Sequence, residues 1–255
     1  MTASSDSPSR TFPGSSRSKK MLLVVDGDGA YLYYTGILLQ RLDYILHTCK
    51  TAEEALELMN VALPALILAD AALPGMGSPA FLNQLKQNPK TQAVPVIICS
   101  LSDDPALREA YLREGAASFL KKPVDPELLY AEIQQATEPA PRNYIRLTTC
   151  VPVELGDVKA GEQGAGACVS ALSEHGAFIS MPEPRPKGVT VPLTIRLEDV
   201  PITVEGKVLY SFDLKNSPFR TPGMGVLFTR IEPHHRQRIK DFIEACLTGD
   251  LRGQR

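Results

Sequence analysis

The sequence predicts two domains of different class: an α/β doubly wound five-stranded parallel sheet, then a small antiparallel all-β barrel with a C-terminal helix. Three observations predict it. Over residues 20–136, short apolar runs alternate with helix signals. Pro139 and Pro141 then interrupt the pattern. Beyond them the hydrophobic period falls to two, and glycines punctuate short strands.

The apolar runs of the first part are Met21–Val25, Tyr44–Cys49, Ala65–Ala69, Val94–Cys99 and Ser118–Leu120. Thr51 with Glu54 makes a capping box ahead of Ala55, Leu56, Leu58 and Met59. Ser78-Pro79, Asp104-Pro105 and Asp125-Pro126 each set an N-cap residue before a proline at the first helical position. Gly115 closes the fourth helix, where a left-handed residue is needed. In the second part, Val189–Leu197 and Pro201–Tyr210 alternate apolar and polar, and Gly223–Phe228 adds a strand. Gly156, Gly161, Gly164, Gly166, Gly176, Gly188, Gly206 and Gly223 separate or kink the strands. Pro233–Leu247 reads as a closing helix with Ile239, Phe242, Ile243 and Cys246 on one face. The resulting division is a tail at 1–19, a first domain at 20–136, a linker at 137–141, a second domain at 142–247 and a tail at 248–255.

Composition narrows the class. The 255 residues are 44% hydrophobic and 22% charged, which is globular. A net charge of -2 argues against a general nucleic-acid or membrane-surface binder. No helix-turn-helix pattern or basic stripe follows the linker, so no nucleic-acid partner is expected. No apolar stretch is long enough to span a bilayer. Met1–Lys20 is rich in Ser, Thr and Pro without an apolar h-region, and reads as a disordered tail. The five cysteines (49, 99, 150, 168, 246) lack C-x-x-C spacing, as expected of reduced thiols in a cytoplasmic protein. His234 and His235 have no metal partner set and read as solvated.

The chemistry lies at the ends of the apolar runs. Asp26-Gly27-Asp28 follows the first run, Asp70 the third, Ser100 the fourth and Lys122-Pro123 the fifth. A parallel sheet opens the carboxyl ends of its strands onto one crevice, which would gather these groups. Carboxylates, a hydroxyl and an ammonium together suit a divalent cation beside an aspartate that accepts a phosphoryl group.

Residues 20–136 resemble the receiver domain of two-component response regulators. Asp70-Ala71-Ala72-Leu73-Pro74-Gly75-Met76 carries an aspartate four residues before proline, the family's phosphoacceptor segment. Pro95–Ser100 matches the segment ending in the switch hydroxyl. Gly115–Pro123 matches the one with the switch aromatic, Phe119, and the phosphate-pairing lysine, Lys122, whose bond to Pro123 is cis in the family. The resemblance implies phosphorylation of Asp70 by a histidine kinase, with Ser100 and Lys122 assisting. It implies Mg²⁺ on Asp26, Asp28 and Asp70. Gly27 stands where the family has its second acid, and Asp28 is the substitute this sequence offers. Leu101 stands where a small residue usually gives access to the aspartate.

Residues 142–247 resemble the PilZ family, which binds cyclic di-GMP. Arg142-Asn143-Tyr144-Ile145-Arg146 matches R-x-x-x-R. Ala171-Leu172-Ser173-Glu174-His175-Gly176 matches [D/N]-x-S-x-x-G, and Gly225-Val226-Leu227-Phe228 matches the G-V-x-F strand. The resemblance implies a nucleotide site on Arg142, Arg146, Ser173 and Gly176. Guanidinium groups grip phosphates bidentately and stack on or bond guanine. Ala171 replaces the acid or amide that accepts from guanine.

Together these resemblances imply a signalling adaptor in a phosphorelay. Its partners would be a histidine kinase, cyclic di-GMP and a downstream effector, and its output motility or a surface behaviour. Gly27, Leu101 and Ala171 support an alternative, an interaction protein independent of phosphorylation and nucleotide. Asp26-Gly27-Asp28-Gly29 also resembles the D-x-D motif of haloacid dehalogenase-type phosphatases, with Asp26 as nucleophile and Asp28 as acid. The chain lacks that family's late acidic pair and cap insertion, so no enzyme is expected.

Overall fold

A computed structural model describes residues 19–156, 167–198, 200–213 and 221–249. Most of both expected tails, and Gly161, Gly164 and Gly166, lie outside the described residues. By contacts the chain forms two compact units. One is Lys19–Leu147 with the chain from Ile243 onward; the other is Thr148–Phe242. Residues 142–147, expected to open the second domain, belong by contacts to the first unit.

The first unit contains β1 (Met21–Val25), β2 (Ile45–Cys49), β3 (Leu66–Asp70), β4 (Val96–Ser100) and β5 (Ser118–Lys121), all parallel, in the order β2-β1-β3-β4-β5. Helices α1 (Gly29–Arg41), α2 (Ala52–Met59), α3 (Ser78–Gln87), α4 (Pro105–Arg113) and α5 (Pro126–Thr137) alternate with the strands. Helices on both faces explain why β1, β3 and β4 are apolar almost throughout. Leu23, Val25, Ile67, Ala69, Val96 and Ile98 share a core with Phe81, Leu82 and Leu85 of α3. The strand order reverses beside β1, which puts a crevice at the carboxyl ends of β1 and β3.

The helix caps follow the sequence signals with two departures. Asp104 and Asp125 accept from the N–H groups of Ala106 and Leu128, both at 2.9 Å. Glu54 N–H donates to Thr51 Oγ1 at 3.2 Å, but the Glu54 carboxylate reaches back to the Lys50 N–H, one residue earlier than a capping box requires. Ser78 is not a cap: Gly77 holds that position. The Ser78 hydroxyl instead donates to the Asp70 carbonyl and accepts from the Leu73 N–H, so it fastens the loop after β3. Gly115 sits at φ +97°, as a helix-ending glycine should.

The second unit is built on a closed barrel of β6 (Leu147–Leu155), β7 (Cys168–Ser173), β8 (Gly176–Ser180), β9 (Thr190–Leu197), β10 (Val200–Phe212) and β11 (Gly223–Ile231), ordered β10-β11-β8-β7-β6-β9. The alternation read from sequence is real: β9 buries Val191, Leu193, Ile195 and Leu197 and turns the residues between them outward. Closure leaves no unpaired edge. A Cβ at Gly225 would lie 2.3 Å from the Tyr210 ring, so glycine there lets that ring lie across β11. In α6 (Pro233–Thr248), Ile239, Ile243 and Leu247 are buried at four-residue spacing. Cys246, expected on that stripe, is exposed, because the row of Ile239 and Ile243 continues four residues on to Leu247. Among the described residues, no helix is long and apolar enough to cross a membrane.

Candidate functional site

Three of the expected groups meet at the crevice. Asp26 follows β1, Asp70 ends β3, and Lys122 follows β5, before a cis bond to Pro123. Lys122 Nζ donates to Asp26 Oδ2 at 2.5 Å and to Asp70 Oδ1 at 2.8 Å. Asp26 is 1% exposed and Lys122 8%. Asp70 is the more open carboxylate of the two. Burial alone would lower the lysine's proton affinity, but the hydrogen bonds and charges of both aspartates outweigh it and raise its pKa. The ammonium therefore stays charged between two carboxylates, beside the one group solvent can reach.

Ser100 ends β4 next to this triad and is buried; its Oγ accepts from the Ser102 N–H at 3.1 Å. Phe119, the switch aromatic of the resemblance, is buried in the core, 6.0 Å from the Tyr111 ring. The Tyr111 hydroxyl donates to the carbonyl of Ala71, directly after Asp70. The Phe119 side of the sheet is thus tied to the acceptor loop. Leu101 is 81% exposed, so its side chain goes to solvent instead of covering Asp70.

The expected metal set is not assembled. Asp28 is the N-cap of α1, and its Oδ1 accepts from the N–H groups of Ala30 and Tyr31. Its own N–H donates to Asp26 Oδ1 at 2.9 Å. One carboxylate is spent on a helix start, and the other two share an ammonium. Among the described residues, no group of three or more His, Cys, Asp or Glu side chains could hold a metal ion. The residues present do not fit a three-carboxylate Mg²⁺ site. The same bonds account for the D-x-D motif, which makes a helix cap and half of a lysine clamp.

Sequence reading missed Tyr31. Lys122 Nζ lies 4.1 Å from the centroid of its ring. Burial first, then its interaction with Cys99, pushes the pKa of the Tyr31 phenol far up. Burial likewise pushes the Cys99 thiol up to about 11. The available signal was position: three residues after an N-cap, a side chain in the first turn of α1 returns toward the strand ends.

The groups expected to bind nucleotide fall in different units. Arg142 and Arg146 belong by contacts to the first unit, and Ser173 and Gly176 to the second. The Arg142 N–H donates to Gln134 Oε1 at 3.3 Å, and Gln134 Nε2 donates to the Tyr44 hydroxyl at 3.0 Å. Arg146 is exposed. On the barrel, Ser173 Oγ donates to the Gly176 carbonyl at 3.0 Å and closes the turn between β7 and β8. A Cβ at Gly176 would lie 2.4 Å from the Val226 carbonyl oxygen. The close approach that glycine permits there is to β11 of its own barrel. Ala171 pairs with Phe178 across the same hairpin.

Family models agree with both halves. The response regulator receiver domain matches residues 22–134, and the PilZ domain matches residues 140–245. The chain is a receiver–PilZ response regulator. Its receiver is 32% identical over 116 residues to the response regulator PleD of Caulobacter vibrioides, covering 46% of this chain and 26% of that protein. It is 32% identical over 114 residues to an uncharacterized 14.6 kDa protein of Leptolyngbya boryana, covering 45% and 87%. A solved signal receiver domain of an HD domain-containing protein from Pseudomonas fluorescens superposes with a TM-score of 0.44 and 29% identity, covering 48% and 96%. This chain thus spans about a quarter of PleD. Both matched domains are regulatory modules.

Proposed function

We propose that this receiver–PilZ protein takes a phosphoryl group from a histidine kinase onto Asp70 and passes the signal on by cyclic di-GMP or effector binding at its PilZ domain. The observation that carries the first half is the pair of bonds from Lys122 to Asp26 and Asp70. An Asp70 oxygen attacks phosphorus, the bond from phosphorus to the donor breaks, and the donor departs. Lys122 neutralises the phosphoryl oxygens and Ser100 donates to them, each already placed by a strand end. Phosphate drawing on Ser100 would pull on the segment joining β4 to α4, whose Tyr111 bridges Phe119 and the acceptor loop. The arginines of R-x-x-x-R suit a dianionic nucleotide. An output in motility or surface behaviour follows from the resemblance. A cytoplasmic site of action rests on the cysteine usage, and the exclusion of nucleic-acid and membrane partners on the net charge of -2 and the lack of a helix-turn-helix pattern.

The test is phosphoryl uptake from acetyl phosphate, followed by intact mass, with Mg²⁺ and with a chelator. One phosphoryl group should add to wild type and none to Asp70→Asn. A second reading, an interaction protein that needs neither phosphoryl group nor nucleotide, is favoured by the diversion of Asp28 to a cap and by Ala171. It prevails if wild type stays unmodified by acetyl phosphate and by a kinase donor, and calorimetry with cyclic di-GMP shows no heat.

A further inference from the structure

We infer that Tyr31 is a positioning residue for Lys122: the face of its ring holds the ammonium at the point where it bridges Asp26 and Asp70. The inference rests on the reading of Asp70 as acceptor and deepens it.

A lysine ammonium is a compact charge on a flexible four-carbon stem, so its place is set by what surrounds it. Two sides are taken by Asp26 and Asp70, at 2.5 and 2.8 Å. Tyr31 presents its ring to another side, 4.1 Å from Nζ to centroid. An aromatic face attracts a cation through the negative pole of its quadrupole, more so where water is excluded. Here Lys122 is 8% exposed.

The ring is itself held. Its phenol lies near enough to Thr35, one turn on along α1, and to Cys99 of β4 for both to act on its titration. Its backbone N–H is bound by the Asp28 cap, with Ala30 N–H. The segment Gly27–Tyr31 therefore has a single logic. Gly27 contributes no acid, Asp28 starts the helix, and the helix start delivers an aromatic face to the lysine. A cation that could be re-aimed by a third carboxylate is instead pinned from the opposite chemistry. Lys122 is then preset to meet phosphoryl oxygens at Asp70, and the pinning needs no further ligand.

The test separates ring face from phenol and from bulk. Tyr31→Phe keeps the face, and Tyr31→Leu keeps apolar bulk without it. Phosphoryl uptake by Asp70 from acetyl phosphate should stay within about twofold in Tyr31→Phe and fall about tenfold in Tyr31→Leu. Equal loss in both variants would overturn the inference in favour of the phenol. A second readout does not need the reaction. In a thermal double-mutant cycle with Lys122→Met, Tyr31→Leu should lower Tm by several degrees when Lys122 is present and clearly less when it is absent. An equal drop in both backgrounds would make Tyr31 a packing residue and overturn the inference. If wild type takes up no phosphoryl group, the acceptor reading fails, and the cycle alone decides the role of Tyr31.

Discussion

The receiver pocket and the PilZ signature residues are two ways of making a site from the same chain. In the receiver, Asp26, Asp70 and Lys122 leave three strands of one parallel sheet and are already in hydrogen-bond contact. In the PilZ half, Arg142 and Arg146 belong by contacts to the receiver unit, while Ser173 and Gly176 serve a hairpin and a strand pairing. Strand ends of a doubly wound sheet converge because topology leaves them no alternative. A barrel directs side chains outward in every direction, so a site on it depends on segments that arrive from elsewhere. The candidate receiver residues Asp26, Asp70 and Lys122 are therefore mutually bonded and largely buried, whereas of the PilZ signature residues Arg146 is exposed, Arg142 and Gly176 are half-buried and Ser173 is buried.

That contrast is sharpest in alkaline solution. Burial raises the pKa of Tyr44 to about 12 and of Cys99 to about 11, and those of Tyr31, Cys49 and Tyr111 also rise. The net shift of Lys122 is upward as well. In the second unit Cys168 rises, by burial and its contact with Cys150. Each raised group stabilises the fold while protonated. Its contribution is whole below the unfolded value, near 9 for Cys and 10 for Tyr, and is lost as pH climbs through the folded value. Cys99 and Tyr44 each span about two pH units between the two values, and one unit is worth about 1.4 kcal/mol. On the order of 5 kcal/mol should therefore leave the receiver between pH 9 and 12. Chemical denaturation across that range, with residue-resolved amide exchange, should show the receiver opening while the barrel holds. Simultaneous loss of both would break the contrast.

The same contrast explains what could be read in advance. Strands, helix starts and barrel alternation were legible because each is a local pattern: apolar runs, cap residues before proline, period two. Asp26, Asp70, Ser100 and Lys122 were legible because their strand ends identify them. Ser78 and Asp28 were misassigned for one reason. A hydroxyl or carboxylate at a helix start has several backbone partners within reach, and sequence does not say which wins. Ser78 bonds to the Asp70 carbonyl, and Asp28 bonds to its own helix. Tyr31 was invisible because aromatic contact with a lysine ninety-one positions away is a tertiary fact. Residues 142–147 fall in the first unit by contacts, and the bond from the Arg142 N–H to Gln134 of α5 is one of the contacts that a linear reading of the linker does not show.

On the PilZ side, single substitutions at Arg146 and Ala171 should change binding more than stability. Arg146 is exposed and Ala171 sits in the β7–β8 hairpin. Arg146→Ala should weaken cyclic di-GMP binding roughly tenfold to a hundredfold, the worth of a charged hydrogen bond of about 1.5–3 kcal/mol. Its unfolding free energy should stay within about 0.5 kcal/mol of wild type. Ala171→Asp should tighten binding about tenfold by restoring the acceptor for guanine. Calorimetry and denaturation on the same three proteins check both halves. An Arg146→Ala protein that binds as well as wild type would remove the R-x-x-x-R segment from the nucleotide site.

The smallest change tests whether the receiver pocket is one carboxylate short of a metal site. Gly27 follows Asp26, and a Cβ built on it meets only Pro74, 3.4 Å from Cδ and 3.7 Å from Cγ, an ordinary contact. Aspartate therefore fits at position 27, beside Asp26 and within reach of the crevice that holds Asp70. It would supply the acid that Asp28 withholds by capping α1. Two opposite effects should follow. Without a divalent cation, a third negative charge near Asp26 and Asp70 has only Lys122 to answer it, so Gly27→Asp should be less stable than wild type by about 1 kcal/mol. With Mg²⁺, which binds through a small number of carboxylates and keeps much of its water, the added acid should raise affinity about tenfold. Ligand that binds only the folded state raises stability by mass action, so the Tm of Gly27→Asp should climb with Mg²⁺ while that of wild type stays flat. If wild type responds to Mg²⁺ as strongly as the variant does, Asp28 must be leaving its cap to serve the ion. The opposite result, with neither protein responding, would mean that Lys122, pinned between Asp26, Asp70 and the Tyr31 ring, keeps the cation out whatever stands at position 27.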